Sequence, residues 1–492
     1  MVAKGKTLAN LGLTTARASH LLVQGLAVDS REVRPGYLFA ALPGARVHGA
    51  EFAEYACRQG ASAILTDPQG ADFIERTLLE HKVDICVVDD PRQALAGAAA
   101  LFFGVQPKVM VAVTGTNGKT SVSTFCRQIW TQIGLSAVNM GTTGVEGAWS
   151  APLNHTTPEP ITLHRALAQA AEAGVTHAAM EASSHGLDQK RLDGVVLSVA
   201  GFTNFTQDHL DYHATFDAYF AAKAGLFDRV LGPQGIAVIN VDDAKAADLL
   251  KGCAARGQST ITVGRGEADF QILGQKYDAT GQDILFSWQG DNHQVRVPLV
   301  GGFQGENLML AAAMVLAAGG EAEEVFASLK AVRSVRGRME LAATRSNGAS
   351  VYVDYAHTPD AVATALRALR PHVMGRLVVV LGAGGDRDPG KRVLMGQAAA
   401  EFADIVFVTD DNPRGEDPAD IRTMVMAGVA DATDVADRAE AILRAVDCLQ
   451  SGDTLLIAGK GHESGQIIGD DAFPFDDVEQ ASIAVAALEG EY

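Results

Sequence analysis

The chain has 492 residues, of which 47% are hydrophobic and 20% charged, and a formal net charge of −19. That length allows about three domains of ordinary size, and the acidic balance excludes a protein that holds nucleic acid through a general basic field, so any phosphate ligand must be gripped locally. Five scattered cysteines (Cys57, Cys86, Cys126, Cys253, Cys448) form no C-x-x-C pair, and no apolar run suits a signal peptide or membrane span, which points to a reducing, cytoplasmic setting with no membrane partner.

In chain order, Tyr37–Ala41, Ala63–Thr66 and Val83–Val88 read as short strands, and a helical pattern over Pro91–Phe103 closes a first block. Gly104-Val105-Gln106-Pro107-Lys108 resembles a linker. A second block opens with Val109–Thr114, an apolar run that reads as a buried parallel strand. It continues through strands at Val175–Met180, Val196–Phe202 and Gly235–Val241 and a helical stretch over Asn307–Ala318. A third block starts near Val335, with strands at Val351–Tyr355, Leu377–Leu381, Ile405–Thr409 and Thr454–Ala458 separated by helical patterns. The alternation predicts an α/β chain with doubly wound parallel sheets, divided into residues 1–105, 106–334 and 335–492. Ligands of such sheets gather at the carboxyl ends of strands, where this sequence places its unusual residues.

The strand Val109–Thr114 breaks into Gly115-Thr116-Asn117-Gly118-Lys119-Thr120, and Ser121 continues into a Ser/Thr-rich helix start. Such a turn surrounds a polyphosphate with backbone N–H groups, with Lys119 as a point charge and the Thr120 hydroxyl as a Mg2+ ligand. It is a variant of the general loop, because Val113 stands where G-x-x-x-x-G-K-[ST] requires glycine. The expected ligand is ATP. Glu181, at another strand end, offers an oxygen donor for the same cation or a helix-terminal cap. Thr203 to His213 cluster imidazoles and carboxylates suited to metal binding or acid–base work, or to a solvated loop.

The next helix places Phe216, Tyr219, Phe220 and Phe227 on one inward face, and Lys223 falls on it. Spacing favours an ion pair with an acid such as Glu181 or Asp208. The alternative is a desolvated amine that takes up CO2 as a carbamate and ligates a second Mg2+. In the third block, Gly382–Arg392 and Asp411-Asn412-Pro413-Arg414 offer arginines at neighbouring strand ends, suited to bidentate carboxylate recognition or to surface salt bridges.

Taken together, the segments Gly115–Thr120, Glu181-Ala182-Ser183-Ser184-His185-Gly186-Leu187, Asp208-His209-Leu210-Asp211-Tyr212-His213, Ala222-Lys223, Gly337-Arg338-Met339-Glu340 and Asp354-Tyr355-Ala356-His357-Thr358-Pro359-Asp360 resemble, in order, the Mur ligase family of ATP-dependent amide-forming enzymes. The resemblance implies a smaller N-terminal α/β domain that binds a UDP-sugar, a central P-loop ATPase-like parallel sheet, and a C-terminal Rossmann-like domain for the incoming amino acid. Asp411-Asn412-Pro413-Arg414 is similar to the members that add meso-diaminopimelate to UDP-N-acetylmuramoyl-L-alanyl-D-glutamate in peptidoglycan precursor synthesis. The rivals are a lysine-adding or folylpolyglutamate-type relative. An arginine there can hold the second carboxylate, which lysine lacks.

By the same resemblance Ser30, Thr156, Thr157, Ser183, Gln189 and Arg191 bind the UDP-sugar peptide. Gly115, Thr116, Asn117, Gly118, Lys119, Thr120 and Ser121 bind ATP, with Asn307 and Arg338 on the nucleotide. Thr120, Glu181, His209 and Lys223, the last as a carbamate, serve the Mg2+ ions. Lys119, Glu181, His209 and Lys223 are thereby the implied catalytic group. Arg387, Asp411, Asn412, Pro413, Arg414, Gly459 and Glu463 form the amino-acid pocket, with Glu463 opposing the distal ammonium. Gln304 departs from the family's usual Asn. The base that deprotonates the amine stays unassigned between His209 and His357, and the expected state is a monomer.

Overall fold

The computed structural model describes residues 5–15, 21–44, 46–77, 83–206 and 212–490. They fall into two compact units, residues 1–264 with 310–325 and residues 265–309 with 326–492.

The first unit begins with a parallel sheet of Gly25–Ala27, Tyr37–Ala40, Ala63–Thr66 and Asp84–Val87 in chain order. The helix Pro91–Phe103 covers it through Leu95, Ala98, Ala99 and Phe102, which pack with Leu38, Ala40, Ala63 and Leu65. That helix starts where it does because the Asp90 carboxylate accepts from Gln93 N and Pro91 needs no donor partner. It stops at Gly104, which takes φ 76°.

A larger sheet follows in the order Ser259–Gly264, Ile236–Asn240, Val199–Phe202, Val109–Thr114, His177–Glu181, Ala137–Gly141 and Gly144–Gly147. All neighbours are parallel except the last pair. Buried on both faces, its central strands are the continuous apolar runs that such sheets require. The chain leaves Val109–Thr114 toward one side and later crosses to the other, so strand order reverses at this strand. That reversal opens a crevice at its carboxyl end. Register sets Glu181 opposite Val113 and Phe202 opposite Thr114, so the loop after Thr114 emerges between Glu181 and Thr203.

In the second unit, Phe270–Asp278, Gly281–Trp288 and Asp291–Val297 form an antiparallel meander. A separate six-stranded sheet runs Glu340–Thr344, Ser350–Asp354, Thr454–Ala458, Leu377–Leu381, Ile405–Val408 and Thr433–Asp434. Strand residues alternate between its two faces. Leu377, Val379, Leu381 and Leu456 pack with the helices Pro359–Leu369 and Gly390–Phe402. Val378, Val380, Leu455 and Ile457 pack with Arg438–Asp447 and Asp477–Glu489. Each fully buried Leu, Ile or Val stabilises the fold by roughly 1.5–3 kcal/mol, and this two-sided burial makes the sheet a rigid base for the loops at its carboxyl edge. No helix among the described residues is long and apolar enough to cross a membrane.

The apolar runs expected as strands all lie in strands, with no end shifted by more than three residues. The strands that the sequence reading missed include the meander, Gly25–Ala27, Glu340–Thr344, Thr433–Asp434 and those at 137–147 and 259–264. The helix carrying Lys223 spans Phe216–Gly225 and continues as a π-helical turn, Leu226–Val230. Tyr219, Lys223 and Phe227 face inward as expected, whereas Phe216 lies at the exposed helix start, its ring 4.5 Å from that of Phe205.

Candidate active site

The turn after Val109–Thr114 is possible because Gly115 and Gly118 take φ 150° and 87°. A Cβ on Gly115 would overlap Thr203 Oγ1 outright, so no other residue fits. The loop is braced from the neighbouring strand end, where Asn204 accepts from Asn117 N at 2.9 Å and Thr203 Oγ1 donates to Asn117 O at 2.6 Å. Thr116 Oγ1 lies 3.2 Å from the Tyr219 hydroxyl. The helix Lys119–Gln132 starts immediately, with no side-chain cap, so its first-turn N–H groups and dipole aim into the turn. Lys119 Nζ donates to Gly115 O at 3.0 Å and Thr116 O at 2.8 Å.

Beside the loop lies an oxygen cluster. Thr120 Oγ1 donates to Glu181 Oε2 at 2.9 Å, and Thr142 N donates to Glu181 Oε1 at 2.8 Å. Thr142 Oγ1 links that carboxylate to Thr156 at 3.0 Å. Thr157 Oγ1 donates to Glu181 O and accepts from Ser183 N. Glu181 is only 2% exposed, and Gly141 makes room for it, since a Cβ there would fall within 2.6 Å of Glu181 Cγ. A buried carboxylate and a hydroxyl, both at the mouth of a phosphate-binding turn, are the hard oxygen donors that suit Mg2+, so these residues fit such an ion. Among the described residues no group of three or more His, Cys, Asp or Glu gathers as a metal site. His209, with Asp208 and Asp211, lies outside the described residues.

Lys223 is 1% exposed, donates to Gly115 O at 2.7 Å and sits 4.6 Å over the Tyr219 ring. The Glu181 carboxylate is oriented by Thr120 and Thr142, and Asp208, the other acid weighed as an ion-pair partner of Lys223, lies outside the described residues. Of the remaining residues of the first unit assigned by resemblance, Thr156, Thr157, Ser183, Gln189 and Arg191 are linked to the Glu181 site by hydrogen bonds. Arg191 donates to Thr157 O at 2.6 Å and, through Nη2, to Gln189 Oε1 at 2.8 Å, and Gln189 donates to the Tyr212 hydroxyl. Burial, with Arg92 nearby, pulls the Arg191 pKa down. Ser183 caps its short helix by accepting from Gly186 N. Ser30, buried, follows Asp29 in a turn of the N-terminal sheet.

In the second unit a different set converges at the carboxyl ends of Leu377–Leu381, Ile405–Val408 and Thr454–Ala458. Arg414 takes φ 51° and donates through Nη1 to Gly385 O at 2.9 Å. Asn412 Nδ2 donates to Glu463 Oε2 at 2.9 Å. Gly459, at φ 119°, leaves space for Asp411, whose Oδ2 would lie 2.5 Å from a Cβ there. Pro413 sits against Gly385, and Arg387 is exposed with Nη1 on Asp386 O. Beneath them Arg438 and Asp477 form a fully buried ion pair. Nearby, Arg338 lies 4.5 Å over the Tyr355 ring, and Gln304 donates to Arg338 O and lies 3.5 Å from Asn307 Nδ2. His357 Nδ1 bonds its own turn at Tyr355 O. Burial pushes the pKa of His462, whose ring lies 4.9 Å from that of Tyr355, down to about 4.

Sequence reasoning overlooked Thr142, and marked Asn204 only as part of the Thr203–His213 cluster, without its role in bracing the loop. Both are the first or second residue after a sheet strand, which is the one signal that could have found them.

Comparison with known proteins follows the same lines. Residues 22–103 match the model described as "Mur ligase family, catalytic domain", residues 113–315 "Mur ligase middle domain", and residues 337–461 "Mur ligase, glutamate ligase domain". The chain is 46% identical over 480 residues to a UDP-N-acetylmuramoyl-L-alanyl-D-glutamate–2,6-diaminopimelate ligase of Caulobacter vibrioides, covering 96% of this chain and 97% of that protein. It is 47% identical to the protein of the same name from Bradyrhizobium diazoefficiens, with 95% and 96% covered. A solved structure bearing that name superposes with a TM-score of 0.73 at 34% identity, over 99% of each chain. Folylpolyglutamate synthase of Mycobacterium tuberculosis complexed with ADP shares the fold, with a TM-score of 0.63 at 21% identity over 75% of this chain and 92% of that one.

Proposed function

We propose, for a chain that belongs to the Mur ligase family, that it is the ATP-dependent ligase joining meso-diaminopimelate to UDP-N-acetylmuramoyl-L-alanyl-D-glutamate in cytoplasmic peptidoglycan precursor synthesis. The observation that carries the reading is the near full-length identity to ligases of that name, in a chain whose phosphate turn holds Thr120 against the buried Glu181.

The D-glutamate side-chain carboxylate attacks the ATP γ-phosphorus, ADP leaves, and an acyl phosphate forms. The neutral amine of diaminopimelate then attacks the acyl carbon. The tetrahedral intermediate expels phosphate, leaving an amide and a released proton. Loop N–H groups and Lys119 stabilise charge on the transferring phosphoryl group. Thr120 and Glu181, with His209, are the residues that would hold Mg2+, which supplies further neutralisation of phosphate charge when bound. Lys223, buried beside the loop, forms a carbamate by adding its neutral amine to CO2 with loss of a proton. Asn307 and Arg338 serve the nucleotide. Ser30, Thr156, Thr157, Ser183, Gln189 and Arg191 serve the UDP-sugar peptide. Asn412, Arg414 and Glu463, with Asp411, Arg387 and Gly459, take the zwitterionic distal end of diaminopimelate. Residues 1–105, 106–334 and 335–492 are the corresponding domains.

Phosphate release by the purified chain, with ATP, Mg2+ and the UDP-dipeptide, tests this across an amino-acid panel. Diaminopimelate is expected to drive turnover, with lysine at least about 100-fold poorer in kcat/KM, as follows if lysine leaves the half-buried Arg414 without a carboxylate in the occupied pocket. Equal use of lysine, or no release with diaminopimelate, overturns it.

A further inference from the structure

Lys460 is 0% exposed, an unusual place for an ammonium. It lies one residue beyond Gly459, and no role has been given to it above. Its Nζ donates to Asn412 Oδ1 at 2.9 Å and to Gly465 O at 2.8 Å. Its remaining side faces two carboxylates, Asp411 Oδ1 and Glu463 Oε2, each at 3.9 Å. A second donor, Ile467 N, reaches the same Asn412 oxygen at 2.9 Å. An ammonium and a backbone N–H can only donate, so the atom between them must be the amide oxygen. The amide is therefore locked with its NH2 turned to Glu463, which it meets at 2.9 Å. Without Lys460, one of the two bonds that lock the amide disappears, and two carboxylates lose the cation lying between them. Burial pulls the Lys460 pKa down while Asp411 and Glu463 push it back up.

We infer that Lys460 is a positioning residue for amino-acid recognition, fixing the orientation of Asn412 and the carboxylate of Glu463 so that Glu463 meets the distal ammonium of the incoming diamino acid. The inference rests on the proposed acceptor. It assigns to Lys460 no contact with substrate.

The test is Lys460→Met, similar in length and without charge or donor, measured in the full chain by phosphate release and by calorimetric binding of diaminopimelate. Loss of a charged hydrogen bond supporting the pocket predicts a KM for diaminopimelate raised roughly 10- to 100-fold, with KM for ATP within about twofold. A merely structural role would move both constants together. In the double variant with Glu463→Gln, the combined loss should fall short of the product of the single losses, because the two residues act through one contact. An unchanged KM for diaminopimelate, or equal rises for ATP and diaminopimelate, overturns the inference. Should Lys460→Met fail to fold, Lys460→Gln, which retains a donor, is measured instead, with a rise of several-fold expected. If neither folds, Lys460 belongs to the core and the inference falls. A wild-type chain that ignores diaminopimelate would instead sink the proposed acceptor, so the two failures are told apart.

Discussion

Gly141→Ala adds one methyl group and touches no residue assigned to substrate, yet it should cripple the enzyme. The new Cβ would overlap Glu181 Oε1 and sit 2.5 Å from Cδ and 2.6 Å from Cγ. An exposed glutamate would swing away, but this one is 2% exposed and tied at both oxygens, to Thr142 N at 2.8 Å and Thr120 Oγ1 at 2.9 Å. The carboxylate must therefore turn and surrender at least one of these bonds, each worth about 1.5–3 kcal/mol to a charged acceptor. If that loss falls wholly on the transition state, kcat drops by roughly 10- to 100-fold, and half-saturation by Mg2+ shifts upward. Steady-state phosphate release across a Mg2+ titration measures both, and a melting curve checks that the fold survives. A Gly141→Ala enzyme within threefold of wild type at every Mg2+ concentration would refute the placement of Glu181 at the reaction centre.

Arg414→Lys should raise KM for diaminopimelate by about 10-fold or more, because a planar two-pronged donor becomes a point charge; unchanged preference over lysine would defeat the specificity argument. Lys223→Ala should lose nearly all turnover and regain part of it with added short-chain carboxylates, as expected if a carbamate is the missing group, so undiminished activity would dismiss the carbamate. Asp477→Asn leaves the Arg438 guanidinium buried without its counter-charge and should cost about 3–5 kcal/mol, seen as a clearly lower melting temperature. Arg438→Met with Asp477→Leu should recover much of that loss. Burial pushes the His164 pKa down to about 4 from 6.5. Between those values the unfolded chain binds the proton and the folded chain does not, so stability present above pH 6.5 is lost as pH falls toward 4. Denaturant melts at pH 7 and pH 5 should therefore differ less for His164→Phe than for wild type.

The parts of the fold that could be read directly were those where one physical demand dominates. Strands such as Leu377–Leu381 are buried on both faces and must be apolar throughout, so they announce themselves. The meander does not, because only alternate residues are buried. Phe270 and Ile272, Ile284 and Phe286, and Val295 and Val297 face the core, with Gln271, Leu285 and Arg296 between them. Among the site residues, Lys119, Thr120 and Glu181 are marked by their chemistry at strand ends, and the structure brings them together. Thr142, and the bracing role of Asn204 within the marked Thr203–His213 stretch, act through register across a parallel sheet, which no local pattern encodes. Phe216 shows the opposite error. Helical spacing put it with Tyr219, but the first turn of that helix projects past the core and leaves its ring 40% exposed.

The two carbonyl bonds of Lys119 bear on how nucleotide enters. Its ammonium rests on Gly115 O and Thr116 O, two backbone oxygens of the same turn. Two of its donor directions are thus taken up by neutral dipoles of the very loop it serves. On nucleotide arrival those two bonds can pass from backbone oxygen to phosphate oxygen with little travel of the side chain, so the ammonium is held close to where it will be needed.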